Sequence, residues 1–171
     1  MADFSIYKPI VKKFEGGWAG NIDGAIATNS GVTYGTYVAY CKQKGLKKPT
    51  INDLRHLPEE HWDEICKGMF WDKWKADSIK NQSIAMLLVD WVWGSGIYGI
   101  KYPQQILGVK VDGIVGEKTL AAVNNYPNQK ELFEKLWQRR KKHFEDIARN
   151  SYKKKFLRGW LRRLDAFKYE D

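Results

Sequence analysis

The chain has 171 residues, which fits one domain large enough to bury a substantial core. A hydrophobic content of 43% and eight tryptophans exclude a disordered protein and indicate a globular one. The net charge of +9 favours polyanionic partners, and nucleic acid, anionic membrane surfaces and bacterial cell wall all qualify.

The N-terminal segment has the pattern of a helix that ends at a carboxylate. The apolar residues that keep helical spacing are Tyr7, Ile10, Val11 and Phe14. This spacing predicts a helix over residues 5–14. Glu15 then lies at the C-terminal end of the helix, where the helix dipole disfavours a negative charge and helps to keep the acid protonated. Such a setting suits a general acid.

The segment after Glu15 is polar and rich in glycine. Gly16-Gly17 is expected to end the helix, because glycine takes the left-handed conformation that a C-cap needs. Residues 21–31 predict the turns of an irregular β-hairpin, which can bring Asp23 or a threonine to face Glu15. Two carboxyls that flank a gap suit glycoside hydrolysis: one protonates the leaving oxygen, and the other activates water or stabilises positive charge. The spacing alone is also compatible with the alternative that the pair has no catalytic role, Glu15 being a surface residue at a helix end and Asp23 a residue in a turn.

The residues of this stretch also carry a family resemblance. They are Glu15-Gly16-Gly17-Trp18, Asp23 and Ala27-Thr28-Asn29-Ser30-Gly31-Val32-Thr33. The stretch resembles the opening of glycoside hydrolase family 108, whose members are N-acetylmuramidases with a lysozyme-like fold. Gly24-Ala25-Ile26 stands where that family has Pro-Gly-Gly.

The resemblance implies a mainly α, lysozyme-like helical fold with a short β-hairpin after the first helix. It implies that Glu15 is the general acid and Asp23 the second carboxylate, and that Thr28 or Thr33 positions the water. The residues expected to bind substrate are Trp18, Asn29, Thr33 and, if it faces the cleft, Asp90. The separation of the two carboxyls decides between inversion and retention, so the sequence assigns neither.

Past the hairpin the chain is predicted to be almost wholly helical. Residues 33–44 form one expected helix, ended by Gly45, and another starts near Pro58. Residues 83–93 are apolar on nearly all sides, which is typical of a buried helix. Asp90 interrupts this helix. A buried Asp is costly unless it is hydrogen-bonded, so Asp90 either caps a neighbouring element, which we favour, or faces the cleft.

The second half extends the resemblance in the family's order. The matching segments are Phe70-Trp71-Asp72, Leu88-Val89-Asp90, Gly94-Ser95-Gly96, 104–109, 111–116, Thr119-Leu120 and Gly159-Trp160-Leu161. The later segments resemble the predicted peptidoglycan-binding region that follows in these proteins. Because no Pro- or Ser-rich linker separates the halves, we expect residues 1–93 to form a lysozyme-like catalytic region. Residues 94–171 are expected to form a helical, peptidoglycan-binding-like lobe packed on it as one compact unit.

The last predicted helix carries a strongly basic face. Its residues, with those just before it, are Lys153, Lys154, Lys155, Arg158, Arg162 and Arg163. A solvated surface and an electrostatic dock for anionic wall polymers are both compatible with this run.

Metal, cofactor and membrane functions have little support. Cys41 and Cys66 lie far apart with no histidine at ligand spacing, so we expect no metal and no cofactor. The two cysteines are either buried free thiols or one disulfide. The most apolar run, residues 84–100, is broken by Asp90 and glycines and is too short to span a bilayer, so we expect no stable membrane insertion.

The sequence therefore predicts a monomeric, bacteriolytic peptidoglycan hydrolase that cleaves the β-1,4 bond between N-acetylmuramic acid and N-acetylglucosamine. Its N-terminus lacks a signal-peptide pattern, so we expect it to reach the periplasm or wall by endolysin-type phage release or non-standard export. A non-catalytic wall-binding or secretion-assisting protein on the same fold is the alternative. A nucleic-acid-binding protein ranks lower, because that function gives no role to Glu15-Gly16-Gly17.

Overall fold

The computed structural model describes residues 1–20, 27–149 and 152–170, which form nine α-helices and three short strands. The helices are α1 (Phe4–Phe14), α2 (Tyr34–Gln43), α3 (Ile51–Arg55), α4 (Glu59–Cys66), α5 (Gln82–Ser95), α6 (Tyr98–Leu107), α7 (Glu117–Asn124), α8 (Gln129–Ala148) and α9 (Leu157–Leu164). The strands are β1 (Trp18–Ala19), β2 (Thr28–Asn29) and β3 (Val32–Thr33). Lys67–Trp71 is π-helical, and Asp72–Trp74, Ala76–Ser78 and Tyr152–Phe156 are 3₁₀ segments.

The fold class predicted from the sequence is confirmed. The chain is mainly helical, and its strands form one antiparallel sheet, in the order β1-β2-β3, directly after α1. Helix α1 ends at Phe14, as its apolar spacing predicts. Neither Gly16 nor Gly17 has a positive φ, however, so the expected left-handed cap is wrong.

The described chain divides into two compact units. One unit contains residues 8–69, and the other contains residues 1–7 and 70–171. The chain passes between them after Tyr7, within α1, and again after Met69. The expected division at residue 93 stays a prediction, because these units reflect compactness and residues 8–69 are inserted within the sequence of the other unit.

In residues 8–69 the core gathers side chains from every helix and from the hairpin. Its most buried members include Val11, Val32, Leu54, Trp62 and Cys66. Cys41 and Cys66 are both buried and both free, so the disulfide alternative is wrong. Burial raises the pKa of the Cys66 thiol, which keeps this group protonated and unreactive.

In the other unit, α5 is buried on most of its surface, as its apolar sequence predicts. Helix α6 approaches α5 very closely at Gly99, where an added Cβ would lie 2.5 Å from the backbone nitrogen of Val92. The carbonyl of Gly99 also accepts a hydrogen bond from the Trp74 indole at 3.1 Å. Only glycine permits this contact, so Gly99 fixes the spacing of the two helices.

Asp90 lies fully buried in the middle of α5 and binds three side chains. Its Oδ1 accepts from the Tyr7 hydroxyl at 2.8 Å and from Arg163 Nη2 at 2.6 Å, and its Oδ2 accepts from Arg140 Nη2 at 2.8 Å. Burial alone raises the pKa of Asp90, but the two guanidinium groups outweigh burial and hold this pKa below its ordinary value. We call these four residues the Asp90 cluster.

The Asp90 cluster bears on two expectations from the sequence. The geometry favours the structural role for Asp90 over contact with substrate, since arginine and tyrosine side chains surround its carboxylate. We expected Arg163 on the basic outer face, but it turns inward to Asp90, with 18% of its side chain exposed. Its neighbour Arg162 is exposed, in line with the prediction.

We expect Asp90→Asn to lower the free energy of unfolding by about 3–5 kcal/mol, because it leaves two buried or partly buried arginines without their counter-charge. Urea denaturation at neutral pH measures this loss. Asp165→Asn, at an exposed aspartate that ends α9, is the matched control and should change stability by no more than about 0.5 kcal/mol. Similar stabilities for the two variants would show that the Asp90 cluster contributes nothing.

The lowered pKa of Asp90 also predicts how that loss depends on pH. The carboxylate contributes its full stability above its unfolded pKa of about 3.9, and the contribution disappears as the pH falls through the lower folded pKa. The difference in stability between wild type and Asp90→Asn should therefore be constant at neutral pH and shrink below about pH 4. Denaturation series at several acidic pH values test this, and a difference that stays constant would contradict it.

Candidate active site

The three-stranded sheet places the predicted site residues on two faces. Thr28 pairs with Ala19 on one side and with Thr33 on the other, while Asn29 pairs with Trp18 and Val32. Residues directly opposite each other in antiparallel strands share a face of the sheet. The register therefore puts the side chains of Thr28 and Thr33 on one face of the sheet and those of Trp18 and Asn29 on the opposite face.

The turn between β2 and β3 has only two residues. Ser30 has a φ of 49° and Gly31 a φ of 86°, which is the pattern of a type I′ hairpin turn. A left-handed conformation costs a residue such as Ser30 about 1–2 kcal/mol. The fold offsets this cost, because Ser30 Oγ donates to Asn29 Oδ1 at 3.1 Å and the Trp62 indole donates to the Ser30 carbonyl at 3.0 Å.

Asn29 anchors the hairpin to α3. Its Nδ2 donates to the carbonyl oxygens of Leu54 at 2.9 Å and Arg55 at 3.1 Å. Both amide protons of Asn29 are thus used within the fold. The structure gives this residue a supporting position beneath the hairpin, and direct substrate binding by Asn29 stays a prediction.

Thr33 is the N-cap of α2. Its Oγ1 accepts from the backbone N–H of Thr36 at 3.3 Å and donates to the Thr36 hydroxyl at 2.9 Å. The Thr33 hydroxyl is therefore committed to the start of the helix.

Glu15 follows α1 directly and is half-buried. Its backbone N–H donates to the Val11 carbonyl at 2.9 Å, so the helical turn continues up to this residue. Trp18, three residues later, is also half-buried, and its indole covers Gly20.

Ion pairs and one indole fix the helix that carries Glu15. Lys8 Nζ contacts Glu59 at 2.8 Å and Asp63 at 2.7 Å, which ties α1 to α4. Lys12 Nζ lies 4.2 Å from the centre of the Trp62 ring, within the range of a cation–π contact. Because Trp62 also binds the Ser30 carbonyl, the same side chain contacts the Glu15 helix and the hairpin turn.

Asp23 belongs to residues 21–26, which lie outside the described residues. Its expected role as second carboxylate therefore stays a prediction.

A surface groove of about 510 Å³ begins beside Thr36 and runs between α2 and α4, reaching the start of the π-helical segment. Its lining includes Thr36, Tyr40, Gln43, Glu64, Gly68 and Met69. The Tyr40 hydroxyl donates to Glu64 Oε2 at 2.5 Å, and burial with this hydrogen bond raises the pKa of Tyr40. An aromatic ring among hydroxyl, amide and carboxylate groups is a surface that can bind sugars. Helical spacing in the sequence does not distinguish a tyrosine that packs against the core from one that lines a groove, so it gave no signal for Tyr40.

Within residues 1–20, 27–149 and 152–170, no three histidine, cysteine or carboxylate residues lie close enough together to hold a metal ion. No helix formed by these residues is long and apolar enough to cross a membrane.

Comparison with known families shows which family the chain belongs to. The family described as glycosyl hydrolase 108 matches residues 9–96, slightly more than half of the chain. The chain belongs to this family. A region described as a predicted peptidoglycan domain follows at residues 98–165. Together the two matches support a glycoside hydrolase that acts on peptidoglycan, and the resemblance seen in the sequence is confirmed.

A solved structure supports the same architecture. The structure described as SagA from Brucella abortus has a TM-score of 0.75 and 24% sequence identity to this chain. The match covers 96% of this chain and 90% of that one, so the two share a fold over nearly their whole length. The fold is lysozyme-like, as the resemblance implied. No curated protein matches the sequence.

We expect Asn29→Asp to lower the free energy of unfolding by about 1–3 kcal/mol, because a carboxylate cannot donate to the two carbonyl oxygens that Asn29 binds. Urea denaturation measures this loss. Asn52→Asp, at an exposed position on α3, introduces the same charge without touching the hairpin. If both variants lose the same stability, the amide of Asn29 does not anchor the hairpin.

Proposed function

We propose that this member of the glycosyl hydrolase 108 family hydrolyses the β-1,4 bond between N-acetylmuramic acid and N-acetylglucosamine. The observation that carries the proposal is the position of Glu15: a half-buried glutamate that follows α1 and precedes the hairpin. The contacts of Trp62 with Lys12 and with the Ser30 carbonyl support a fixed approach of this helix to the hairpin.

In the proposed reaction, Glu15 donates its proton to the glycosidic oxygen as the bond to the anomeric carbon breaks. Asp23 activates the attacking water or stabilises the positive charge that develops on the sugar. The Thr28 hydroxyl, on the sheet face away from Asn29, positions the water. A separation of about 6.5–9.5 Å between the two carboxyls would give inversion and about 5–5.5 Å retention.

The groove between α2 and α4 is the proposed site for neighbouring sugars of the glycan. It lies within the region matched to the family, and the Tyr40 ring and the Gln43 and Glu64 side chains offer both a flat surface and hydrogen-bonding groups. The same proposal includes action at the periplasmic or wall peptidoglycan by a monomer, with a bacteriolytic result as for an endolysin.

A second candidate is a non-catalytic wall-binding or secretion-assisting protein. Gly24-Ala25-Ile26 in place of the family's Pro-Gly-Gly favours it, because the change falls in the hairpin segment that carries Asp23. The predicted peptidoglycan domain at residues 98–165 is compatible with binding alone.

We expect Glu15→Gln to lose most hydrolytic activity, about 10²–10⁴-fold, because the amide keeps the shape of the side chain but cannot act as the acid. Turbidity loss of purified peptidoglycan, with mass analysis of the released fragments, measures the rate and the bond cleaved. Glu60→Gln is the matched control: this glutamate is exposed in the first turn of α4 and should keep wild-type activity.

The outcomes separate the candidates. Muramic-acid reducing ends released by wild type and Glu60→Gln, but not by Glu15→Gln, support both the muramidase and its acid. Equal clearing by all three would show that Glu15 is the wrong residue. Absence of clearing with intact sedimentation on peptidoglycan would favour the binding protein.

A further inference from the structure

A pocket of about 390 Å³ lies between α8 and the residues that follow α9. Its members on α8, from Lys130 to Gln138, recur at spacings of three and four residues, so they lie on one side of the helix. The chain from Asp165 to Tyr169 supplies the rest of the lining. We call this site the Trp137 pocket. The proposed hydrolytic reaction uses none of its residues.

Aromatic side chains form the apolar part of the Trp137 pocket. Phe133 and Phe167 are buried, whereas Trp137 and Tyr169 are half-buried and reach the surface. The Trp137 indole donates to the Leu164 carbonyl at 3.2 Å, and the ring centre of Tyr169 lies 5.8 Å from that of Phe133. Contacts within the fold therefore hold both half-buried rings in place before a ligand arrives, which lowers the entropic cost of binding.

Exposed polar side chains surround these rings. They are Lys130, Glu134, Gln138, Asp165 and Lys168. Among the residues that the structure describes, none of the five side chains has a hydrogen-bonding or ion-pair partner, so their donors and acceptors are available to a ligand. In the groove between α2 and α4, by contrast, Tyr40 and Glu64 already bind each other.

The charges of the Trp137 pocket balance. Lys130 and Lys168 contribute two positive charges, and Glu134 and Asp165 contribute two negative charges. The pocket is therefore neutral, although the whole chain carries a net charge of +9. A neutral pocket does not attract nucleic acid or phosphate-bearing wall polymers by charge. It favours an uncharged ligand that offers both hydrogen-bonding groups and an apolar face.

We propose that the Trp137 pocket binds an N-acetylglucosamine unit of the peptidoglycan glycan, as a second glycan site besides the groove between α2 and α4. The sugar ring offers an apolar C–H face to the aromatic rings, and its hydroxyl and acetamido groups suit the polar rim. Peptidoglycan as the source rests on the proposed function, whereas the neutral-sugar chemistry rests on the pocket itself. The volume equals about thirteen water molecules at roughly 30 Å³ each, which is room for about one sugar unit.

Titration of the isotope-labelled full chain with N-acetylglucosamine, followed by nuclear magnetic resonance, tests the proposal. The indole N–H signal of Trp137, assigned with Trp137→Phe, should shift and reach saturation. Glucose, which lacks the acetamido group, should bind at least about fivefold more weakly, since one lost hydrogen bond accounts for that factor. Binding should not change as the salt concentration rises, because neither the pocket nor the sugar has a net charge.

Two variants locate the sugar in the pocket. Gln138→Ala and Tyr169→Ala should each weaken binding by at least about fivefold, because the first removes a hydrogen-bonding group and the second an aromatic ring. Gln105→Ala and Tyr152→Ala are the matched controls. They remove the same side chains at exposed positions that do not line the pocket, and they should bind the sugar as wild type does.

Absence of a saturable shift at Trp137, or equal losses in the pocket variants and their controls, would overturn the site. Equal affinity for glucose would overturn N-acetylglucosamine as the ligand. A shift with N-acetyl-D-alanyl-D-alanine but not with the sugar would show that the pocket binds the peptide instead. The measurement needs no turnover. Hydrolysis by wild type without the Trp137 shift would therefore refute this inference alone, and the shift without hydrolysis would refute the proposed reaction alone.

Discussion

The buried carboxylate of Asp90 is the interaction on which the larger unit depends. It brings together Tyr7 near the N-terminus, Arg140 on α8 and Arg163 on α9. A buried aspartate is stable only when its oxygens are satisfied, and here all three partners donate to it. This one carboxylate therefore connects α5 to the N-terminal residues, to α8 and to α9.

Trp62 has a comparable position in residues 8–69. Its ring contacts Lys12 on α1, and its indole N–H binds the carbonyl of Ser30, a residue in the left-handed conformation. General acid catalysis requires the acid to lie within hydrogen-bond reach of the leaving oxygen, so errors of about an ångström are costly. A single rigid side chain that contacts both the helix before Glu15 and the hairpin limits such errors.

The sequence predicted those parts of the fold that depend on residues close together in the chain. The apolar spacing of Tyr7 and Val11 gave the bounds of α1, and Ser30-Gly31 formed the expected turn. Contacts between distant residues left no such signal. Arg140 and Arg163 lie 50 and 73 residues from Asp90, and a basic helix pattern cannot distinguish Arg163, which turns inward, from the exposed Arg162. Asn29 was expected at the substrate because of the family resemblance, but its amide binds two carbonyls that only the folded chain brings near.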